Sequence, residues 1–154
     1  MAGRLVTVGP AVIRALDIGP DSSPADHTID ITTRGARTGI PRRIEVWFHR
    51  VDGHWYLTGV PGPRNWYANL RAHPRFTVHL KYGVTADLAA TAMPVDESTR
   101  RRVITAVLDL QKQPQIAARV NQRQDADDWL ARSPLVEIVF DDDELRAPQP
   151  DSAA

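Results

Sequence analysis

One stretch of alternating residues, followed directly by a tight-turn dipeptide, constrains the fold of this chain more than any other feature. Residues 42–51 alternate between two faces, and Asp52-Gly53 follows the last of them. A period of two is typical of a half-buried β-strand, and Asp-Gly readily adopts the positive φ angles of a two-residue turn. The sequence therefore predicts a β-hairpin whose second strand is His54–Thr58. One face of its first strand carries Ile44, Val46 and Phe48.

Further strands are predicted at residues 27–33, 76–82, 84–92 and 135–140. Helices are predicted at 11–16, at 65–73 with Asn65 as the cap, from Asp96 to Pro114, and over 115–132 with a break near Asp125. Hairpin-joined strands with few helices, and no repeated strand–helix–strand pattern, indicate a mainly β fold of the α+β class. We expect a small antiparallel barrel with a short helix between strands and C-terminal helices.

Length, charge and cysteine content exclude several classes of protein. The 154 residues fit one domain, which we divide into an N-terminal extension at 1–26, a barrel domain at 27–146 and a disordered tail at 147–154. The 19 basic and 19 acidic residues cancel, which argues against a nucleic-acid-binding protein. With no cysteine, thiol nucleophiles and cysteine metal sites are excluded. Neither a signal peptide nor a membrane-spanning segment is evident, so a cytoplasmic location is expected.

The segment between the first two predicted strands is the first candidate binding site. Residues 34–43 contain four arginines and no acid, together with Gly35, Thr38 and Gly39. Glycines permit close backbone approach, and successive backbone N–H groups can form a concavity for an anion. Arginine adds paired donors that match phosphate oxygens. The alternative is a solvated hairpin loop whose arginines pair with surface acids.

A Gly/Pro loop leading into the short helix is the second candidate. Free N–H groups at a helix start attract an anion or a carbonyl oxygen. One face of this helix carries Trp66, Asn69, Leu70 and His73, of which Trp66 and Leu70 can equally be core. Asn69 is less easily explained as core, since a buried amide needs hydrogen-bond partners.

Trp47 lies on the mixed face of the hairpin strand, beside Glu45 and His49. An aromatic ring among polar groups can form the wall of a site for a flat ligand, or it can cover a helix. His49 and His54 flank the turn, and we interpret them as exposed hairpin residues. No third ligand accompanies them, so no metal site is predicted. No nucleotide-binding glycine motif is present either.

Two linked motifs resemble the deazaflavin-dependent nitroreductase family. They are Thr-Thr-Arg-Gly-Ala-Arg-Thr-Gly-Ile-Pro-Arg at 32–42 and Asn-Trp-Tyr-Ala-Asn-Leu-Arg-Ala-His-Pro at 65–74, with Trp47-Phe48 between them. The resemblance covers roughly residues 27–92. It implies a split antiparallel β-barrel of the FMN-binding type, found in many actinobacterial proteins. It also implies coenzyme F-420, a deazaflavin, as the cofactor, with FMN and haem as alternatives.

The resemblance also assigns cofactor-binding roles to individual residues. Arg37 and Arg42 match the residues that hold the cofactor phosphate, with Thr38 and Gly39 shaping their loop. Glu45 and Trp47 match the strand positions beside the deazaflavin ring. The loop near the ring and the helix beneath it correspond to Gly59, Gly62, Arg64, Trp66, Tyr67 and Asn69. The Gly/Pro loop is shorter here than in the family, so its ring contacts are expected to differ.

The function implied by the resemblance is hydride transfer from reduced F-420 to an electron-poor small molecule, namely an enone, a quinone or a nitro compound. The cofactor performs such chemistry and the protein positions it. The accompanying proton comes from solvent or from a side chain, with Tyr67 and His49 as candidates. A non-catalytic carrier of cofactor or lipophilic ligand is the alternative function. Assembly into a homodimer is compatible with the sequence.

Overall fold

The structure is a computed structural model that describes residues 9–117 and 125–146. Within these ranges six strands and seven helices follow one another. The strands are β1 Thr28–Arg34, β2 Pro41–Val51, β3 His54–Thr58, β4 Arg75–Leu80, β5 Ala86–Met93 and β6 Leu135–Phe140. The helices are α1 Pro10–Leu16, α2 Pro24–His27, α3 Asn65–Ala72, α4 Glu97–Leu110, α5 Pro114–Ala117, α6 Ala126–Arg132 and α7 Asp143–Arg146.

The six strands form a closed antiparallel barrel in the order β1-β2-β3-β6-β5-β4. The predicted hairpin is present, and Asp52 and Gly53 have φ angles of 54° and 82°, as a two-residue turn of this type requires. The barrel closes through β1 and β4, where Asp30 lies opposite His79. The predicted fold class, with a short helix between strands and helices toward the C-terminal end, is confirmed.

The core fills the barrel interior, and a second cluster lies beneath α4. Ile31, Phe48 and Val78 are fully buried within the barrel. Ile44 and Val46 pack against the same cluster, so the apolar face of β2 points inward as predicted. The second cluster joins α4 and α6 to the outside of the barrel through Tyr56, Val103, Ile104, Val107, Leu108, Trp129 and Leu135.

The segment before the first strand contributes to this core. Leu16, at the end of α1, is 1% exposed, and its carbonyl accepts a hydrogen bond of 2.8 Å from the indole N–H of Trp55. Ile18 is buried in the same cluster. Residues 1–8 and 147–154, which include the predicted tail, lie outside the described residues.

Element boundaries differ from the prediction in several places. The helix predicted from Asp96 to Pro114 ends at Leu110. Asn65 does not cap α3: Arg64 is at the N-cap with an extended backbone, and Asn65 is the first helical residue. β4 ends at Leu80, so Tyr82 leaves the sheet and is 52% exposed, because the chain turns at Gly83 with φ of 79°. β5 begins at Ala86, after that turn.

The caps predicted for the later helices are present. The Asp96 carboxylate accepts from the backbone N–H of Thr99 at 2.8 Å, and Asp125 caps α6. The middle of the helix predicted over 115–132 falls on residues 118–124, outside the described residues. Within the described ranges, no helix has the length and apolar character needed to cross a membrane.

Candidate functional site

The loop between β1 and β2, residues 35–40, is closed by its own backbone. The N–H of Gly35 donates to the Ile40 carbonyl at 2.9 Å, and that of Gly39 donates to the Gly35 carbonyl at 2.8 Å. Gly39 has a φ of 71°, which favours glycine. A Cβ added to Gly35 would lie 2.5 Å from the Thr38 hydroxyl, so a side chain there would require the Thr38 side chain to move.

Most backbone N–H groups of this loop are engaged within the protein. Besides the two glycines, Ile40 donates to the Thr38 hydroxyl at 3.1 Å and Ala36 donates to the Asn69 side chain at 2.8 Å. The backbone concavity predicted from the sequence is therefore largely satisfied internally. An anion at this loop would be held mainly by side chains.

The four arginines of residues 34–43, a segment that we call the basic loop, fall into two pairs. Arg43 forms an ion pair with Asp30 at 2.9 Å, and Arg34 donates to the Gly39 carbonyl at 3.2 Å. Arg37 and Arg42 are both exposed, and in the described part of the chain no carboxylate pairs with either guanidinium. The two arginines that the family resemblance assigns to the phosphate are thus the two whose guanidinium groups make neither an ion pair nor a hydrogen bond within the described residues.

Asn69 connects the two sequence motifs. It lies on α3, is 8% exposed, and its amide oxygen accepts from the N–H of Ala36 while its amide nitrogen donates to the Thr33 hydroxyl at 3.1 Å. The buried amide therefore has the partners that its position requires. Asn69 does not need a ligand to explain it, and its role in the structure is to hold the basic loop against α3.

We expect Asn69→Leu to lower the free energy of unfolding by about 1–3 kcal/mol, because the N–H of Ala36 and the hydroxyl of Thr33 lose their partner. Urea unfolding measures this change. Asn65→Leu is the matched control, since Asn65 is exposed on the same helix, and a surface substitution should stay within about 0.5 kcal/mol of wild type. Equal destabilisation by the two variants would contradict the role given to Asn69.

The outer face of β2 carries Glu45 and Trp47. Glu45 accepts a hydrogen bond from Lys81, whose ammonium group also donates to Asp30 at 2.7 Å. Trp47 is half-buried, outside the barrel core, and stacks on His27 with ring centroids 5.6 Å apart. The predicted placement of Trp47 on the face opposite the core is confirmed, and its contact with a ligand stays a prediction.

If Trp47 lies beside a bound ring, its fluorescence should be quenched when deazaflavin binds. Trp55, Trp66 and Trp129 are all buried in the core clusters, so quenching by direct contact with the ring is expected mainly at Trp47. We expect Trp47→Phe to lose most of the quenching observed in a fluorescence titration, and Trp129→Phe to retain it. The same quench in Trp47→Phe as in wild type would place Trp47 away from the cofactor.

The Gly/Pro loop is attached to the C-terminal part of the barrel. The N–H of Gly62 donates to the Arg132 carbonyl at 3.2 Å, and Gly62 has a φ of 118°. The Arg64 side chain lies over Gly59 and Gly62, at 3.9 and 3.8 Å from the positions their Cβ atoms would occupy. Adding side chains to these glycines would therefore bring them into contact with Arg64.

Two aromatic residues of α3 differ in their surroundings. Trp66 is 8% exposed and belongs to the core, which is one of the two interpretations that the sequence allowed for it. Tyr67 is half-buried, makes an edge contact with Trp66, and has the Arg71 guanidinium 5.8 Å from its ring centre. Tyr67 is therefore the more accessible of the two.

His49 is not an exposed hairpin residue. It is 5% exposed and lies opposite Tyr56, whereas His54 pairs with Val51 and contacts Glu137 on the barrel surface. The prediction failed because alternation along β2 does not reveal which helices cover its outer face. Burial lowers the pKa of His49 to about 3, so its ring is neutral near pH 7 and is a poor proton donor.

Two residues that support the outer face of β2 were not identified from the sequence. Lys81 links Glu45 to Asp30, and His27 stacks on Trp47 while its Nδ1 hydrogen bonds to the Phe48 carbonyl at 2.9 Å. Neither could be found from local periodicity, since both depend on which strands and helices meet. Among the described residues, no three histidine or acidic side chains converge on a metal-binding geometry.

A family model described as F420H(2)-dependent quinone reductase matches residues 18–125, more than half of the chain. No curated protein matches the sequence. A solved structure of a conserved hypothetical protein from Mycobacterium tuberculosis is 20% identical, with 88% of this chain and 82% of that chain covered and a TM-score of 0.55.

Two further solved structures share the fold at lower identity. One described as F420 Reductase is 13% identical over 73% of this chain and 84% of its own, with a TM-score of 0.51. The haem storage protein HutZ from Vibrio cholerae is 9% identical over 88% and 89%, also with a TM-score of 0.51. These likenesses confirm the split β-barrel fold.

Proposed function

Since this chain belongs to the F420H(2)-dependent quinone reductase family, we propose that it transfers a hydride from reduced coenzyme F-420 to an electron-poor small molecule. The family is one of deazaflavin-dependent oxidoreductases. The acceptor classes that we propose are quinones, enones and nitro compounds.

The basic loop is the observation that supports this proposal most strongly. A deazaflavin cofactor has a negatively charged tail. Arg37 and Arg42 are two exposed cations that have no acidic partner among the described residues, in a segment, residues 34–43, that contains no acid. Asn69 holds that loop in place from α3. Guanidinium groups pair well with phosphate oxygens, and a loop whose backbone is already held loses little backbone entropy on binding.

The residues of the protein bind and orient, and the bound cofactor supplies the hydride. Arg37 and Arg42 would fix the anionic tail, and Trp47 would bound the ring on the outer face of β2. Glu45 is held by Lys81 and therefore presents a fixed carboxylate beside Trp47. Because positioning carries most of the rate in such a reaction, we expect no side chain to act as an indispensable base.

Tyr67→Phe should reduce turnover by less than the roughly 10²–10⁴-fold effect of an essential proton-transfer residue. The hydroxyl of Tyr67 is a candidate donor, but solvent can supply the same proton. Steady-state kcat with reduced F-420 and menadione measures the effect. A loss of about 10²-fold or more with unchanged cofactor affinity would instead make Tyr67 the proton donor.

The proposed function is tested by supplying the purified protein with reduced F-420, NADH or NADPH. Each donor is paired with menadione, a cyclic enone and a nitroarene. We expect oxidation of reduced F-420 with at least one acceptor, and none of NADH or NADPH, because no dinucleotide-binding motif is present in the sequence. Turnover with NADPH alone would overturn the cofactor assignment. Tight F-420 binding without any turnover would make the protein a carrier.

A further inference from the structure

A cavity lies on the outer face of the barrel, where β1, β4 and β5 run side by side. Its volume is about 400 Å³, within the range of small-molecule sites. The residues that line it include Thr32 and Arg34 of β1, Arg75 and Thr77 of β4, and Ala89 of β5. Neither Arg37 nor Arg42 lines it, so the cavity is distinct from the two arginines assigned to the cofactor.

The side chain of Thr32 is hydrogen-bonded to a histidine of the neighbouring strand. Ile31 and Thr33 on either side of it are buried, so alternation along β1 places the Thr32 side chain on the outer face. Its hydroxyl oxygen lies 2.6 Å from Nε2 of His79 on β4. His79 is 7% exposed, whereas Thr32 is half-buried. A histidine that is shielded from water therefore contacts the hydroxyl group of a residue that lines the cavity.

Asp87 determines the direction of this hydrogen bond. Its carboxylate lies 2.7 Å from Nδ1 of His79, and a carboxylate can only accept, so Nδ1 carries the proton. In a neutral imidazole ring Nε2 is then an acceptor, and the Thr32 hydroxyl donates to it. A hydroxyl that donates to a histidine oriented by a carboxylate is the arrangement of Ser-His-Asp hydrolases, which recurs on unrelated folds.

Arg34 supplies a positive charge in the same cavity. Its guanidinium donates to the Gly39 carbonyl at 3.2 Å, and no carboxylate in the described ranges pairs with it. The charge of Arg75, by contrast, is balanced by Asp141. A guanidinium group stabilises the negative oxygen that develops when a hydroxyl adds to a carbonyl group. The cavity therefore combines a hydroxyl group, its base and a cation for the developing charge.

We propose that Thr32 is the nucleophile of a second activity, the hydrolysis of esters of small carboxylic acids. The Thr32 oxygen adds to the ester carbonyl carbon while its proton moves to Nε2 of His79. The bond from that carbon to the alcohol oxygen then breaks, and the alcohol leaves with the proton. Water next attacks the acyl-Thr32 ester and gives a proton to His79, which returns it to the Thr32 oxygen as the carboxylic acid is released. Neither a hydride nor deazaflavin takes part.

The proposal is tested on protein without deazaflavin, with 4-nitrophenyl acetate as the probe. Because a covalent acyl-enzyme forms, we expect a stoichiometric burst of 4-nitrophenol followed by slower turnover. Tandem mass spectrometry of the acid-quenched protein should find the acetyl group on Thr32. Acetyl groups on other residues only, or no acetylation at all, would overturn the proposal. Either result leaves the proposed reductase function untouched, because no cofactor is present.

Two substitutions at Thr32 test the nucleophile itself. Thr32→Val keeps the branched shape of the side chain and should abolish the burst, whereas Thr32→Ser keeps the hydroxyl group and should retain it. Thr28→Val is the matched control on the same face of β1, since the Thr28 hydroxyl donates to the Pro24 carbonyl at 2.7 Å, and its burst should equal that of wild type. Thermal melting checks folding. A wild-type burst in folded Thr32→Val would contradict the assignment.

The base is tested in the same assay. His79→Gln should slow acylation by about 10²-fold or more, as expected of a group that transfers the proton. Asp87→Asn should have a smaller effect, because the Asp87 side chain is 72% exposed and water can also bind Nδ1. His54→Gln changes an exposed histidine and should leave the rate unchanged. Equal acylation rates in His79→Gln and wild type would remove His79 from the mechanism and overturn the proposal.

Discussion

Replacing Arg37 and Arg42 together by alanine should weaken deazaflavin binding about 100-fold or more and leave the melting temperature of the cofactor-free protein nearly unchanged. A charge-assisted hydrogen bond is worth about 1.5–3 kcal/mol, which corresponds to at least tenfold in affinity for each arginine. Neither guanidinium has an acidic partner in the described part of the chain, so the fold loses no ion pair. A fluorescence titration gives the affinities.

Arg43→Ala is the matched control for that experiment. Arg43 belongs to the same basic segment, but its guanidinium is already paired with Asp30 at 2.9 Å. We expect this variant to bind deazaflavin within a few-fold of wild type. Similar losses in Arg43→Ala and in the double variant would mean that general positive charge, and not the two unpaired guanidinium groups, attracts the cofactor.

The second large effect concerns stability in acid. In the unfolded chain His49 binds a proton below about pH 6.5, whereas in the folded protein its pKa is lowered to about 3 by burial. Between these values the unfolded state holds more protons, so stability falls as the pH falls. From pH 6.5 to 4 the loss should be roughly 3 kcal/mol at 1.36 kcal/mol per unit. Burial of His27 acts in the same direction.

Urea unfolding of wild type and His49→Leu at pH 7, 5.5 and 4 isolates this contribution. We expect the leucine variant to lose much less stability over that range, because it has no imidazole to protonate. His54→Leu serves as the control, since His54 has a side chain 59% exposed, and it should follow the wild-type pH dependence. Parallel loss of stability in wild type and His49→Leu would contradict the assignment to His49.

The barrel could be predicted because its signals are local. Alternation in β2, the Asp52-Gly53 turn and the capping carboxylates of Asp96 and Asp125 each act over a few residues. Local sequence patterns do not show which distant strands and helices pack together. The closure of β1 on β4 brings Lys81 to Asp30, and α2 and α4 cover the end of β2 and bury His49.

Part of the candidate site could also be predicted from the sequence. The basic loop could be identified from the sequence, and a buried Asn69 was expected to need hydrogen-bond partners. The sequence could not identify them as Ala36 and Thr33, since these lie more than thirty residues away along the chain. Nor could it reveal that Arg34 and Arg43 are engaged by the protein, because a run of arginines contains no information on pairing.

The proposed function depends on the basic loop holding the anionic tail of a deazaflavin. Titrating the wild-type protein with coenzyme F-420, FMN and haem side by side tests it most directly. We predict saturable binding of F-420 that is tighter than that of FMN or haem and is lost in the Arg37→Ala, Arg42→Ala double variant. Tighter binding of FMN or haem than of F-420, or F-420 binding that survives in the double variant, would contradict the claim.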